Sequence, residues 1–544
     1  MDNGAIFTYK NDFGGEWSED PKKPFQGGGR AQAWSPSIGR NETWTWGKDI
    51  IRGVNLGGWL VTEPFVSPAL YEKYVNKTDI YVADEWTLCL AMGADGAEEL
   101  EGHYKTFITE RDFAEIAAAG LNWVRIPIGF WAIEAMNDEP FLVGTSWGYF
   151  LKAVEWARKY GIRIYLDLHS LPGSQNGWNH SGRSACTFMH GTMGLANAQR
   201  TLTYLRILVE FVSQAQYREV VPIVGIVNEI LWSAIGETGV KSWYQVAYDT
   251  IRESTGMGEG PYIVVHDGFQ GPPKFEGFME GADRLILDQH PYIAFQNDHT
   301  SSMQTLADRP CDWAIATNQS SKVFGITLGG EFSAAINDCG YWLSGIGSVP
   351  GYPDCGPFDD WHNYNDTTKG VLNDMALASM DALQNWFFWT WKIGNSTTLG
   401  TSSSPMWHYK LGLQEGWIPK DPRSAIGHCA AKLGKTQEFD GNYPASATGQ
   451  GNGTLASTVD FPPHTMEPSF TGTQIALLPT YTPTGTVHSL FGPTFTAAPS
   501  AVVGTGWNNT ADTQLAYVPV SGCAYPDAWN ATEAPLPTAT CTGS

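Results

Sequence analysis

Long hydrophobic runs are missing from this chain of 544 residues: it has no stretch of about 18 apolar residues, and so no helix able to cross a membrane. Residues 1–20 are polar and Gly-rich without the apolar core of a signal peptide, so any signal or anchor is expected upstream of this sequence. Basic residues are scarce as well. Lys plus Arg number 33 against 56 Asp plus Glu, and the formal net charge of -23 repels phosphate backbones and anionic membrane surfaces, which argues against a nucleic-acid partner. The eight cysteines are scattered with no Cys-x-x-Cys pair, which argues against zinc and for disulfides. No Gly-rich phosphate loop follows the first predicted strand, because Gly57-Gly58 is too short for the dinucleotide fingerprint. Nothing calls for a cofactor or a metal.

Aromatic residues, by contrast, are plentiful. The 23 Trp, 22 Tyr and 25 Phe suit sugar-stacking surfaces, although a given Trp more often packs a core, so only those at strand ends carry weight. Nine Asn-x-Ser/Thr sequons (Asn41, Asn76, Asn179, Asn318, Asn365, Asn395, Asn452, Asn508, Asn530) join the cysteines in pointing to an oxidising, secretory compartment.

Along the chain, residues 1–48 read as an irregular Gly/Trp/Pro-rich arm. From Asp49 strands and helices alternate. Strand signals lie at Ile50–Leu56, Asn122–Pro127, Ile162–His169, Pro222–Glu229, Tyr262–Asp267, Arg284–His290, Phe324–Glu331 and Trp386–Lys392. Helices are expected at Thr109–Ala119, opened by Thr109 and Asp112 in capping-box spacing, and near Ser146–Tyr160, Leu195–Ser213, Val240–Ser254 and Gly370–Gln384. Eight strands in this order predict an α/β fold, a (β/α)8 TIM barrel over residues 49–431, with a doubly wound open sheet as the alternative. Residues 432–544 turn to Thr, Ser, Pro and Gly. They read either as an O-glycosylated stalk or as a tail packed along the barrel, with Trp507, Trp529, Cys523 and Cys541 arguing for an ordered end.

Two of the apolar runs end abruptly in a glutamate, Glu229 and Glu331. In one parallel barrel both emerge at the rim where active sites lie, and two facing carboxylates are what cleavage of a glycosidic bond requires. The plain alternative is a pair of strand-end glutamates in ordinary salt bridges.

Seven fragments then appear in order: Arg52-Gly53-Val54-Asn55-Leu56-Gly57-Gly58-Trp59, Arg125-Ile126-Pro127-Ile128-Gly129, Asp167-Leu168-His169, Pro172-Gly173-Ser174-Gln175-Asn176-Gly177, Asn228-Glu229, Gly330-Glu331-Phe332-Ser333 and Phe388-Trp389-Thr390-Trp391-Lys392. Together the chain resembles the fungal exo-1,3-β-glucanases of glycoside hydrolase family 5, and its arm and tail resemble a subgroup tethered by an N-terminal membrane anchor. The resemblance implies Glu229 as general acid/base and Glu331 as nucleophile. It also implies Asn228 on the sugar 2-hydroxyl, Tyr292 against Glu331, and Arg125 beneath the nucleophile, lowering its pKa. Glu63, His169 and His290 would hold hydroxyls of the terminal glucose, Trp391 would be its floor, and Trp178 and Phe295 would clamp the next sugar. Asn179 at the same pocket mouth is then expected to stay unglycosylated while most other sequons are available.

Departures from the family pattern are Ile230 after Asn228-Glu229, Phe332 after Gly330-Glu331, and Asn179-His180 where relatives have Asp-Asn. The implied activity is retaining, exo-acting release of glucose from 1,3-β-glucan or laminarin-type oligosaccharides, with transglucosylation to acceptor sugars. The alternatives are an endo-β-glucanase of the same superfamily and a non-catalytic glucan-binding wall protein. A secreted, cell-wall or cell-surface monomer is expected. Cys339 and Cys355 flank a short loop and are expected to pair, stabilising by about 3 kcal/mol in the chain-entropy model. Cys311 with Cys429 is implied by relatives, Cys523 with Cys541 is expected in the tail, and Cys89 with Cys186 follows only by elimination.

Overall fold

In a computed structural model, residues 10–11, 17–18, 30–31, 44–136, 139–296, 298–434, 439–493 and 513–543 are described. Most of the N-terminal arm, with Trp34 and Asn41, lies outside them, as do Trp507 and Asn508. Eight parallel strands close a barrel: β1 (Arg52–Asn55), β2 (Trp123–Gly129), β3 (Arg163–Ser170), β4 (Ile223–Gly225), β5 (Tyr262–His266), β6 (Leu285–Gln289), β7 (Thr327–Phe332) and β8 (Trp386–Phe388). Trp386 of β8 pairs with Arg52 of β1 to complete the ring. Nearly every strand residue is buried, as expected of strands lined by side chains within and helices without.

The longer helices are α1 (Glu85–Met92), α2 (Gly96–Phe107), α3 (Glu110–Ala118), α4 (Thr145–Tyr160), α5 (Gly194–Ser213), α6 (Glu237–Thr255), α7 (Trp313–Val323) and α8 (Asp366–Leu383). Their ends follow local chemistry. The Asp112 carboxylate accepts from the Thr109 N–H (2.9 Å) ahead of α3, and Gly161 takes φ 71° to end α4. Between β5 and β6 the connection carries only a 3-10 turn, Pro272–Phe275. At the N-terminal end of the barrel, Trp123, Tyr165, Ile223, Ile286 and Phe387 form a separate apolar layer, closed from below by Trp44 against Trp123 and Trp46 against Tyr262.

Three disulfides join Cys311–Cys429, Cys339–Cys355 and Cys523–Cys541. The pairing by elimination is wrong: Cys89 and Cys186 are free thiols. Cys89 points from α1 into the core, whereas Cys186 sits on a half-buried loop that meets α1 at its other end, where the Ser184 N–H donates to the Asp84 carboxylate. The sequon at Asn318 is also corrected, because its side chain is buried on α7 and accepts from the Gln384 amide. The described residues beyond 439 lie along the barrel. The Thr187 hydroxyl donates to the Ala528 carbonyl, Arg206 donates to Gln514, and the Trp529 indole donates to Glu139.

The loop leaving β1 carries Glu63 and is pinned by a buried acid. The Glu85 carboxylate accepts from the Thr62 N–H (2.7 Å) and hydroxyl (3.0 Å), and burial pushes its pKa from 4.5 up to about 7. The folded state therefore keeps a proton that the unfolded chain releases. Glu85 contributes stability that is complete below pH 4.5 and lost as pH rises through about 7, on the order of 3 kcal/mol. Urea titrations of the wild type and Glu85→Gln at about pH 4.5 and 7.5 are expected to show the smaller acid-to-neutral loss in the variant. Equal losses would contradict this assignment.

Candidate active site

The strand ends deliver the site to one rim. Glu331 is the penultimate residue of β7, His169 lies near the end of β3, His290 and Tyr292 follow β6, and Trp389 follows β8. Glu229 is not a strand-end residue as expected. β4 stops at Gly225, and Glu229 stands in the following loop with φ 45°, a left-handed conformation unusual for a residue with a Cβ. That turn is held by the Pro172–Gly177 segment. The Gln175 amide donates to the Asn228 carbonyl (2.8 Å), and the Asn176 amide donates to the Glu229 carbonyl (3.1 Å).

Arg125 organises the charge. Its guanidinium donates to Glu331 Oε1 (2.8 Å), Asn228 Oδ1 (2.6 Å) and Asn55 Oδ1 (3.0 Å), and pairs with Asp167 at 3.0 Å. The Tyr292 hydroxyl donates to Glu331 Oε2 (2.8 Å). Burial raises the Glu331 pKa, and Arg125 and the Tyr292 hydroxyl pull it back, so the expected lowering by Arg125 is present but outweighed. Arg125 makes no hydrogen bond to Glu229, and its charge only partly offsets what raises that carboxyl. Burial first, and then the Glu331 charge, push its carboxyl well above the usual range. It lies between two imidazoles, with His290 Nδ1 2.8 Å from Oε1 and His180 Nε2 3.3 Å from Oε2. Burial holds both rings well below their usual pKa, and hence neutral.

The same His290 nitrogen is 3.6 Å from Glu331 Oε1. The two carboxylate oxygens can therefore be no further apart than the sum of those two distances, about 6.4 Å, whereas inverting pairs are spaced at ~6.5–9.5 Å. Glu229, His266 and His290 also group their polar atoms within 4.8 Å of one another. A cation does not fit there, because the Gly268 N–H donates to His266 Nδ1 (3.0 Å) and leaves the proton, not a lone pair, on Nε2.

A cavity of about 910 Å³ opens over these groups. Glu63, His169, His290, Tyr292, Glu229 and Glu331 line it. Glu63 is buried with one carboxyl oxygen lacking a protein partner, and burial followed by the Glu331 charge pushes its pKa well up. Arg125 and Asn228 do not line the cavity. They lie behind it, engaged with each other, and Asn228 is also 3.3 Å from His169, so Arg125 positions Glu331 instead of touching a ligand.

The expected aromatic floor is corrected. Trp391 is fully buried with its indole N–H on Asp112, while Trp389 lines the cavity, stacked parallel to His169 at 5.7 Å. Trp178 and Phe295 stand at the mouth, 40% and 48% exposed. Asn179 lines the cavity beside Trp178. Among the lining residues that sequence reasoning missed, besides Trp389, three stand near the mouth and the carboxylates. Phe269 is 43% exposed next to Trp178, Trp407 backs Phe295, and His180 touches Glu229. Only His180 carried a signal, as a departure from the family pattern.

The description "Cellulase (glycosyl hydrolase family 5)" matches residues 91–334. "Probable glucan 1,3-beta-glucosidase D" of Aspergillus flavus is 36% identical over 412 residues, covering 70% of this chain and 48% of the relative. The protein of that name from Aspergillus fumigatus is 36% identical over 434 residues, covering 73% of this chain and 50% of the relative. The chain thus spans about half the length of the curated relatives it matches. Among solved structures, a rutinosidase from Aspergillus niger superposes with a TM-score of 0.55 at 20% identity, covering 70% of this chain and all of that one, a likeness of fold. Identity at the 36% level sustained over 412 residues goes well beyond a shared barrel, and with the family match it means that the chain belongs to glycosyl hydrolase family 5.

Proposed function

We propose that the chain is a retaining, exo-acting β-1,3-glucosidase that releases glucose from the non-reducing end of glucans, with Glu331 as nucleophile and Glu229 as acid/base. The observation that carries this reading is the single imidazole nitrogen of His290 reaching both carboxyls, which keeps those two oxygens within about 6.4 Å, short of the ~6.5–9.5 Å of inverting pairs. Their environments divide the labour. Arg125 and Tyr292 favour a charged Glu331, ready to attack the anomeric carbon, and the burial of Glu229 beside the Glu331 charge outweighs Arg125 and keeps the proton that the leaving oxygen needs. Once the aglycone has departed, ionised Glu229 takes a proton from water as that water displaces Glu331.

The substrate class is that of the relatives named probable glucan 1,3-beta-glucosidase D. Glu63, with its unpartnered oxygen, would receive hydroxyls of the terminal glucose over Trp389, and Trp178 and Phe295 at the mouth would stack the following sugar or an acceptor in transglucosylation. Exo action is supported by contacts that span the cleft. The Tyr81 hydroxyl donates to the Ile346 carbonyl (3.1 Å), and Gly345 comes up to Asn179, so the Cys339–Cys355 loop closes over one side. Three disulfides fit a secreted or cell-surface location.

Laminarin digestion followed by product analysis and proton NMR is expected to give glucose alone as the first product, initially as the β-anomer. Mixed oligomers would indicate endo action, α-glucose an inverting mechanism, and no release a binding protein.

A further inference from the structure

We infer that Ala528–Asn530 of the C-terminal extension hold Arg183 as a sugar-binding group at the outer end of the cavity, so that the extension takes part in selecting longer glucan chains. The inference rests on the glucan-hydrolase reading above and adds a binding residue to it.

Arg183 lines the same cavity as Glu229, with Asp84, Thr87 and Ser184 around it. The Asp84 carboxylate is already occupied by the N–H groups of Thr87 (2.9 Å) and Ser184 (2.8 Å). The Arg183 guanidinium lies 4.1 Å over the Trp86 ring and 5.8 Å from that of Trp529, and gives one bond to Asn530 Oδ1 (3.3 Å). Among the described residues no carboxylate lies within ion-pair distance of it, and its other N–H donors meet no protein acceptor. A planar, fixed fork of spare donors at a cavity wall suits the adjacent hydroxyls of a pyranose. At about 910 Å³ the cavity is near the top of the ~300–1,000 Å³ range of ligand sites and has room for more than one sugar.

The extension sets this arginine from outside. Trp529 is 4% exposed, wedged against Trp86 (5.1 Å) and Phe130 (6.0 Å), with its indole N–H on Glu139 (2.9 Å). Glu139 is itself gripped by both ends of the Arg200 guanidinium. The Ala528 carbonyl accepts from the Thr187 hydroxyl and the Asn197 amide, tying down the far end of the loop whose inner face presents Trp178 and Asn179. The rings and the amide therefore fix where Arg183 points, and the barrel alone supplies only Trp86.

The test compares KM for laminaritetraose with KM for p-nitrophenyl β-glucoside, which fills little beyond the terminal-glucose position, using the full chain. Arg183→Ala is expected to raise the tetraose-to-aryl-glucoside KM ratio about fivefold to tenfold, the worth of one or two hydrogen bonds. Asn530→Ala and Trp529→Ala should move the ratio in the same direction, and Trp529→Phe, which keeps a ring against the guanidinium, should restore it. Thr532→Ala removes the Asn530 sequon but leaves the amide, and should match the wild type. If Trp529→Ala does not fold, Asn530→Ala carries that arm. An unchanged ratio in Arg183→Ala, with the wild type active on the tetraose, overturns this inference alone. Wild type inert toward laminaritetraose overturns the glucanase reading as well.

Discussion

Glu331→Gln is expected to lower kcat on the order of 10⁵-fold with every substrate, activated or not, while leaving the fold intact. The glutamine keeps the shape of the side chain, with its oxygen placed to accept from Arg125 and its amide N–H placed to donate to the Tyr292 oxygen, and Arg125 retains Asp167 as a counter-charge. In the proposed mechanism the variant loses the negative oxygen that bonds the anomeric carbon, and no better leaving group can compensate for a missing nucleophile. A glycine at the same position opens space for azide, which would then displace the aglycone in one step and give an α-glucosyl azide. Activity of Glu331→Gln on an aryl glucoside within tenfold of wild type would mean that another group attacks.

Glu229→Gln should behave differently. On laminarin, whose leaving sugar needs a proton, kcat is expected to fall about 10³–10⁴-fold. On an aryl glucoside with a good leaving group the first step survives, so a burst of phenol equal to the enzyme concentration should precede a stall, because nothing activates water. Azide needs no base and should relieve the stall, giving a β-glucosyl azide. The pH profile supplies a second readout. In the proposed roles, activity is expected to rise as pH passes the Glu331 pKa, where the nucleophile ionises, and to fall as it passes that of Glu229, where the acid loses its proton. Burial lifts both, but Glu331 has direct hydrogen bonds from Arg125 and Tyr292 pulling it down, whereas the Glu331 charge pushes Glu229 further up, so Glu331 is expected to set the acid limb and Glu229 the alkaline one. In Glu229→Gln the alkaline limb of the aryl-glucoside burst rate should disappear. A variant that shows no burst and no azide product would contradict the role given to Glu229.

The barrel was legible because its strands are short apolar runs separated by helices with explicit stop signals, such as Gly161 after α4. The chemistry-bearing side chains were legible because they sit at the ends of those runs, and His169, His290, Tyr292 and Glu331 do line the cavity. Choosing between tryptophans two residues apart was not possible from sequence. Past the end of β8 the chain no longer alternates as a strand does, so Trp389 faces the cavity while Trp391 turns back to Asp112. Glu229 read as a strand end because Ile226 and Val227 are apolar, yet the ladder stops at Gly225 and the loop bends through φ 45°. Cys89 and Cys186 were paired only by counting, which carries no information about where two thiols point. The wedge of Trp529 against Trp86 and Arg183 spans more than 300 residues of sequence and leaves no local pattern at all.

The most direct measurement on the central claim is covalent trapping with 2,4-dinitrophenyl 2-deoxy-2-fluoro-β-glucoside, whose fluorine slows both steps and whose good leaving group lets the first proceed. Peptide mass spectrometry of the inactivated enzyme is predicted to find one 2-fluoroglucosyl ester, on Glu331, formed in stoichiometric amount with release of dinitrophenol. An ester on Glu229 or any other residue, or full inactivation without a sugar adduct, would contradict the assignment of Glu331 as the nucleophile of a retaining glycosidase.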